Sequence, residues 1–275
     1  MELQNKVCLI AGASGAIGAS VAKRFYEEGA HLALTCRTAD ADGLVDGRVR
    51  GLGRIVSFKL DVTEWEQVQL AVREVEETFS GIDVLVNCTG IVGPIGPLET
   101  LDVREWARTV ETNLMGSVHL VRAVLPMMKQ RGRGKIILFS GGGAAYGRPC
   151  FTPYSSSKAA LVRLTETLAQ ELDSTNIHVN AIAPGPVNSR MWSEMRAAAS
   201  VGNATLLKEL KSMDETGGVS PDRAAGLAVF LASEKSDRLT GRLLSAVWDD
   251  WEHIEPHIDK IASSDVWTLR RVPFN

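Results

Sequence analysis

Tyr154 and Lys158 stand four residues apart, as Tyr-Ser-Ser-Ser-Lys, at the start of a strongly helical segment. Positions i and i+4 share one helix face, so the phenol and the ammonium can point into a common cleft. A free tyrosine loses its proton at about pH 10, too high for acid or base work at neutrality. A fixed cation beside it favours the phenolate and lowers that value. The pair could then move a proton to or from a substrate oxygen. The same spacing also occurs as a plain amphipathic pair at a helix start, so its meaning depends on the motifs around it.

A second stretch with chemical use opens the chain. Residues 6–11 are a short apolar run, as expected of a parallel strand buried on both faces. The run leads into Gly12-Ala13-Ser14-Gly15-Ala16-Ile17-Gly18 and then a helical pattern through Val21, Ala22 and Phe25 to Gly29. Strand, glycine-rich turn and helix together aim backbone N–H groups at a phosphate. The spacing is Gly-x-x-Gly-x-x-Gly rather than Gly-x-Gly-x-x-Gly, which also suits a turn that only packs. A second strand, 31–36, is followed directly by Arg37. At that place an acidic group suits the ribose 2′-OH of NAD, and an arginine the 2′-phosphate of NADP. Arg37 thus favours NADP, while nearby Asp40 and Asp42 keep NAD as the alternative.

The elements that must position these groups follow in regular alternation. Residues 54–60 read as a third strand ending at Asp61-Val62-Thr63, where Thr63 can cap a helix running to about Phe79. A fourth strand, 82–86, ends at Asn87-Cys88-Thr89-Gly90. Residues 101–128 carry one long helical pattern, with Asn113 beside its apolar stripe. A fifth strand, 135–139, closes on Ser140-Gly141-Gly142-Gly143, and the helix from Tyr154 leads to a sixth, 177–183, followed by Pro184-Gly185-Pro186-Val187-Asn188-Ser189. Residues 190–218 lose strand character and read as a mobile lid. A further helix at 221–232, a last strand at 241–247 and a tail at 248–275 complete the pattern. The alternation predicts an α/β fold, a doubly wound Rossmann-like sandwich on a central seven-stranded parallel sheet, with 1–275 as one domain.

Composition excludes other classes. An apolar fraction of 45% supplies a core, and a net charge of −3 gives no argument for nucleic acid. No apolar run approaches the roughly 20 residues that span a bilayer, and the N-terminus carries no cleavage pattern. Cys8, Cys36, Cys88 and Cys150 form neither a zinc pattern nor a disulfide framework. These features predict a soluble, unprocessed, metal-free chain in reducing cytoplasm.

Over about residues 5–247 the chain resembles the short-chain dehydrogenase/reductase family. The likeness is carried by five motifs in family order: Gly12 to Gly18; Asp61-Val62; Asn87 to Gly90; Tyr154 to Lys158 with Asn113 and a serine upstream; and Pro184-Gly185 with Val187 and Ser189. The resemblance implies Tyr154 as the acid of carbonyl reduction and the base of alcohol oxidation. Lys158 would hold the nicotinamide ribose and lower the tyrosine's pKa, and Asn113 would anchor a water of a proton relay. Gly12, Ser14, Gly15, Ile17 and Gly18 would wrap the pyrophosphate, Asp61 and Val62 would meet the adenine, and Asn87 and Gly90 the adenosine ribose. Pro184, Val187 and Ser189 would line the nicotinamide carboxamide. The family is also homo-oligomeric, so a dimer or tetramer is implied, packed through the helices that contain Asn113 and Tyr154.

Departures from the family pattern concern one group above all. The catalytic serine normally stands 13 residues before the tyrosine, where this chain has Gly141; Ser140 is one place further back. One residue can reverse side-chain direction in a strand-to-loop turn, so the polarising group is either Ser140 after a register shift, glycine backbone N–H groups, or a lid residue. The expected function is an oxidoreductase, NADP-preferring with NAD as the alternative, that interconverts a ketone and a secondary alcohol on a small-molecule substrate. Two alternatives accompany it: a sugar or nucleotide-sugar redox or epimerising enzyme, suggested by the glycine spacing, and an NADP(H)-binding sensor, suggested by Gly141. In the tail, Trp248 and Trp251 read as interface anchors or as a cap on the cleft.

Overall fold

All five residues of β1 (Val7–Ala11) are buried, which for an alternating strand requires cover on both faces of its sheet. Residues 1–37 and 53–272 are described by the computed structural model; Asp40 and Asp42 lie outside them. The elements alternate as the apolar runs predict: β1, α1 (Ala16–Glu27), β2 (His31–Cys36), β3 (Ile55–Lys59), α2 (Trp65–Phe79), β4 (Val84–Asn87), α3 (Val103–Val110), α4 (Gly116–Arg131), β5 (Gly134–Phe139), α5 (Thr152–Glu171), β6 (Ile177–Ala183), α6 (Arg190–Ala197), α7 (Ala204–Thr216), α8 (Pro221–Ala232), β7 (Leu243–Ser245) and α9 (Ile258–Ala262). The seven strands form one sheet in the order β3-β2-β1-β4-β5-β6-β7. Every pairing is parallel. The strand order reverses between β1 and β4, the place where open α/β sheets take their ligands.

Side-chain alternation divides the core into two layers. Cys8 and Ile10 of β1 face one, with Phe25 of α1, Leu227 of α8 and Trp251, Ile254 and Ile258 of the tail. Val7, Leu9 and Ala11 face the other, with Val72 of α2, Leu120 and Val124 of α4 and Leu161 of α5. No helix among the described residues is long and apolar enough to cross a membrane.

Three sequence expectations need correction. Thr63 does not cap α2: its hydroxyl and its N–H both go to Asp61 Oδ1, at 2.7 and 3.0 Å, and Glu64 holds the cap position without a side-chain bond. The long helix over 101–128 is interrupted by a π-turn at Glu111–Met115, with Asn113 at its centre. Trp251 is neither a surface anchor nor a cleft cap. Its indole is buried on Phe230, with ring centroids 6.3 Å apart, and Nε1 donates to the Ala246 carbonyl at 3.2 Å. Trp248 is exposed.

The tail from Trp251 onward folds back on its own sheet. Arg242, beside the edge strand β7, gathers the carbonyls of Ala262, Ser264 and Val266. Leu243 N–H donates to the Trp267 carbonyl at 2.8 Å, so the tail supplies an acceptor that an edge strand otherwise lacks. Trp251→Ala is expected to cost roughly 3 kcal/mol in denaturant unfolding and Trp248→Ala less than about 0.5 kcal/mol, because only the first leaves a cavity.

Candidate active site

The C-terminal ends of the strands carry the glycine turn. Gly12 N–H and Ala13 N–H both donate to the Thr35 carbonyl of β2, at 2.9 and 3.0 Å, and Gly15 N–H closes on Gly12 O at 3.1 Å. Gly12 has φ +76, and a Cβ there would lie 3.0 Å from Thr89 N; a Cβ on Gly18 would lie 2.2 Å from Gly12 O. Only side-chain-free residues let β1, β4 and α1 approach this closely. Gly15 occupies the cap position of α1 without a side-chain bond, and the first turn has no acidic residue. Ser14, Gly15 and Ala16 are exposed and Ile17 half-buried. The result is an open helix N-terminus whose first N–H groups no side chain satisfies, a fit for the pyrophosphate of a dinucleotide.

Residues further along the same edge complete the cleft. Arg37 is exposed directly past β2. Asp61 is half-buried with its carboxylate on Thr63, and Val62 is buried, its carbonyl 3.0 Å from His119 Nδ1. Past β6, Pro184 is half-buried and Val187 is buried in a parallel bridge to Val219, while Ser189 starts α6 without capping it through its side chain.

The polar groups between β4, α3, α4 and α5 form one buried network. Asn87 Nδ2 donates to Ser117 Oγ at 2.9 Å, and Ser117 Oγ donates to the Asn113 carbonyl at 2.8 Å. The Asn113 amide is fully buried: Oδ1 accepts from Ile91 N–H at 2.9 Å, and Nδ2 donates to Ile91 O and Ser157 Oγ, each at 3.0 Å. Ser157 Oγ passes the chain on to the Tyr154 carbonyl at 2.7 Å. Lys158 Nζ donates to the Phe139 carbonyl at 2.8 Å and lies 5.9 Å from the Tyr154 ring centre. A Cβ on Gly90 would stand 3.2 Å from Lys158 Nζ and 3.3 Å from Asn113 Oδ1, so Gly90 borders both groups. Asn113, Tyr154, Lys158 and Gly90 are thereby brought together.

Ser140 and Gly141 point in different directions. Ser140 N–H still donates to Ile182 O in sheet register at 2.8 Å, and its buried hydroxyl donates to the Lys158 carbonyl at 3.3 Å. A Cβ on Gly141 would lie 2.3 Å from Tyr154 Oη. The position facing the phenol is therefore 141, where no side chain exists.

Burial dominates the proton affinities. It pushes the Tyr154 phenol up to about 12, with the Arg148 guanidinium pulling the other way. It pulls the Lys158 ammonium down to about 8, opposed by the Cys88 thiol. The desolvation of a phenol only 6% exposed outweighs nearby charge, so the phenol stands above its ordinary value rather than below it.

Sequence reasoning missed Arg148 and Glu209. Arg148 lies six residues before Tyr154, its side chain buried and paired with Glu209 of α7, and its guanidinium carbon 3.6 Å over the Phe151 ring. A lone cation in an otherwise apolar loop beside Phe151 was the available signal; nothing local marks Glu209.

Comparison with known proteins decides the family. The family model described as short chain dehydrogenase matches residues 6–200. This chain belongs to that family. It is 33% identical to a 3-oxoacyl-[acyl-carrier-protein] reductase of Thermotoga maritima, over 89% of this chain and 97% of the relative. It is 34% identical to a galactitol 2-dehydrogenase of Agrobacterium fabrum, over 91% of this chain and 99% of the relative. The crystal structure of an NAD+-bound xylitol dehydrogenase superposes with a TM-score of 0.80 at 30% identity, covering 89% of this chain and 98% of that one. Short-chain dehydrogenases of this kind are NAD(P)-dependent oxidoreductases of CH–OH groups, and so is this chain.

The depressed value of Lys158 yields a stability test. A lysine held below its ordinary 10.5 in the folded state destabilises the fold while it is charged in both states. That penalty is full below about 8, shrinks as the folded-state ammonium loses its proton, and is gone above 10.5. Relative to Lys158→Met, the wild type should therefore gain unfolding free energy as pH rises through this window, read from denaturant melts at each pH.

Proposed function

We propose that the chain interconverts a ketone and a secondary alcohol on a small or medium-sized substrate, with Tyr154 exchanging the proton at the substrate oxygen. The observation that carries this reading is the buried cluster in which Asn113 is bonded through Ser157 to the Tyr154 carbonyl and Lys158 is held on Phe139 O, with the start of α1 left uncapped. NADP(H), with NAD(H) as the alternative, supplies the hydride when bound. Gly12, Ser14, Gly15, Ile17 and Gly18 would hold its pyrophosphate, and Asp61, Val62, Asn87 and Gly90 its adenosine. Lys158, Pro184, Val187 and Ser189 would hold its nicotinamide end, and Arg37 the 2′-phosphate.

A phenol pushed up to about 12 is protonated at neutral pH, the form that donates a proton in carbonyl reduction. Asn113 has its amide committed to Ile91 and Ser157, and acts by holding the loop after β4 against α5 rather than by gripping a water through that amide. Ser140 is engaged with the Lys158 carbonyl. The carbonyl-polarising role then falls to backbone N–H groups of Gly141, Gly142 and Gly143.

Val92, Ile95, Met191, Trp192 and Met195 gather around Tyr154. An apolar lining favours a ketone flanked by hydrocarbon over the sugar or nucleotide-sugar alternative. Residues 190–218, the two helices α6 and α7, serve as its lid. The groove lined by Val118, Val121, Leu125, Leu164 and Leu168 on α4 and α5 suits self-association into a dimer or tetramer. Four free cysteines suit a cytoplasmic setting.

A second reading, a nucleotide-binding sensor, rests on Gly141. Tyr154→Phe separates the two: turnover of ketones should fall at least ~100-fold while NADPH affinity is kept. Nucleotide binding with no turnover of a broad carbonyl and alcohol panel by the wild type would favour the sensor. Arg37→Ala should weaken NADPH about tenfold or more and NADH less than about twofold in fluorescence titrations; equal losses would remove Arg37 from the 2′-phosphate site.

A further inference from the structure

Among the described residues, the ion pairs made by the segment 190–218 stay within it, with one exception. That exception joins Glu209 of α7 to Arg148, in the loop between β5 and α5. The Arg148 side chain is only 8% exposed and Glu209 31% exposed, so the pair is largely removed from solvent. Arg148 Nε donates to Glu209 Oε1 at 3.2 Å, and Nη2 to Oε2, a bidentate arrangement. Its Nη2 also reaches Met195 Sδ of α6 at 4.0 Å.

The same arginine is built into the surroundings of Tyr154. Its guanidinium stacks on Phe151, which lies three residues before Tyr154 and in the same buried apolar cluster. A Cβ added to Gly143 would lie 3.2 Å from Arg148 Cβ and 2.3 Å from the Oγ of Ser155, the residue after Tyr154. Gly143 thus sits between Arg148 and the first turn of α5.

We propose that Arg148 is a positioning residue for the proton chemistry of Tyr154, and that Glu209 tunes it by neutralising the guanidinium when α7 is docked. The charges around the phenol are few enough to assign. From α5 the facing group is Lys158, bonded to Phe139 O; from the loop after β4 it is the Cys88 thiol, which faces Lys158; from the β5–α5 loop it is Arg148. From α7 the charge is Glu209, and α6 packs on the cluster with Met195. A cation beside the phenol favours the phenolate, and a carboxylate on that cation cancels part of the effect. Docking of α7 therefore raises the proton affinity of Tyr154, and release of α7 makes proton loss easier.

The proposal rests on Tyr154 as the acid, so its test is read without turnover. The chain has three tyrosines, and Tyr26→Phe with Tyr146→Phe leaves Tyr154 as the single one. In that background the near-ultraviolet absorbance of the phenolate reports Tyr154 directly. Glu209→Gln should lower the titration midpoint by about one pH unit, and Arg148→Met should raise it. Opposite shifts are the signature, since loosening of the loop alone would move both variants the same way. Unmoved midpoints, or shifts in one direction, overturn the proposal. If Arg148→Met does not fold, Arg148→Gln takes its place under the same criterion. Opposite shifts in an enzyme whose Tyr154→Phe variant still turns over would sink the functional reading instead, and leave the electrostatic coupling standing.

Discussion

A buried ammonium organises this site. Lys158 is only 3% exposed, and a cation removed from water is costly unless an acceptor meets it. The acceptor is the carbonyl of Phe139, the last residue of β5, at 2.8 Å. That bond fixes α5 against the end of the central sheet, and with it the position of Tyr154 one turn earlier on the same face. It also dictates what borders it. Gly90 leaves it room, because a Cβ there would stand 3.2 Å from the ammonium, closer than ordinary contact. Asn113 must hold the loop containing Gly90 and Ile91 in place, and it does so with both ends of its amide. Its position in the π-turn supplies this: one extra residue per turn lets the helix run on while the amide leaves the stripe and reaches Ile91 and Ser157.

What could be read from the residues, and what could not, divides along the range of the interactions. Apolar runs such as 177–183 announce buried parallel strands because both faces must be covered, and the sheet follows from their alternation with helical stripes. Tyr154 and Lys158 were legible because their relation is local, a helix repeat. The cradle of Gly12 and Gly18 was legible for the same reason. The π-turn at Asn113 was not, since it depends on the partners Ile91 and Ser157, 22 and 44 residues away. Trp251 was misread because burial of a tail residue depends on where the tail returns, here onto Phe230 of α8. The Arg148 and Glu209 pair spans 61 residues with no periodicity to link them.

The glycine at 141 connects these strands of the argument. Ser140 keeps sheet register through Ile182 O, so its side chain is turned from the phenol, and the next residue faces it. With no side chain there, Tyr154 Oη takes up the space a Cβ would need. The phenol belongs to the buried apolar cluster of Val92, Phe151 and Met195, and burial raises its proton affinity. A site with a serine at 141 would share the work of polarising the carbonyl between two hydroxyls. Here the one hydroxyl facing that space is the buried phenol of Tyr154.

Such a phenol is a poor base unless a charge opposes its desolvation. Lys158 is engaged with Phe139 and itself depressed to about 8, so part of its charge is absent at alkaline pH. An arginine guanidinium, unlike an ammonium, keeps its charge at every pH a protein survives. Placing an arginine rather than a second lysine beside Phe151 therefore supplies a cation that titration cannot remove, and only a carboxylate can offset it. That carboxylate comes from α7, a helix that packs over the site through Leu206 and Leu210 rather than from the sheet that fixes Lys158. The ammonium is thus rooted in the sheet edge, and the carboxylate that offsets Arg148 in a helix packed on the Tyr154 cluster.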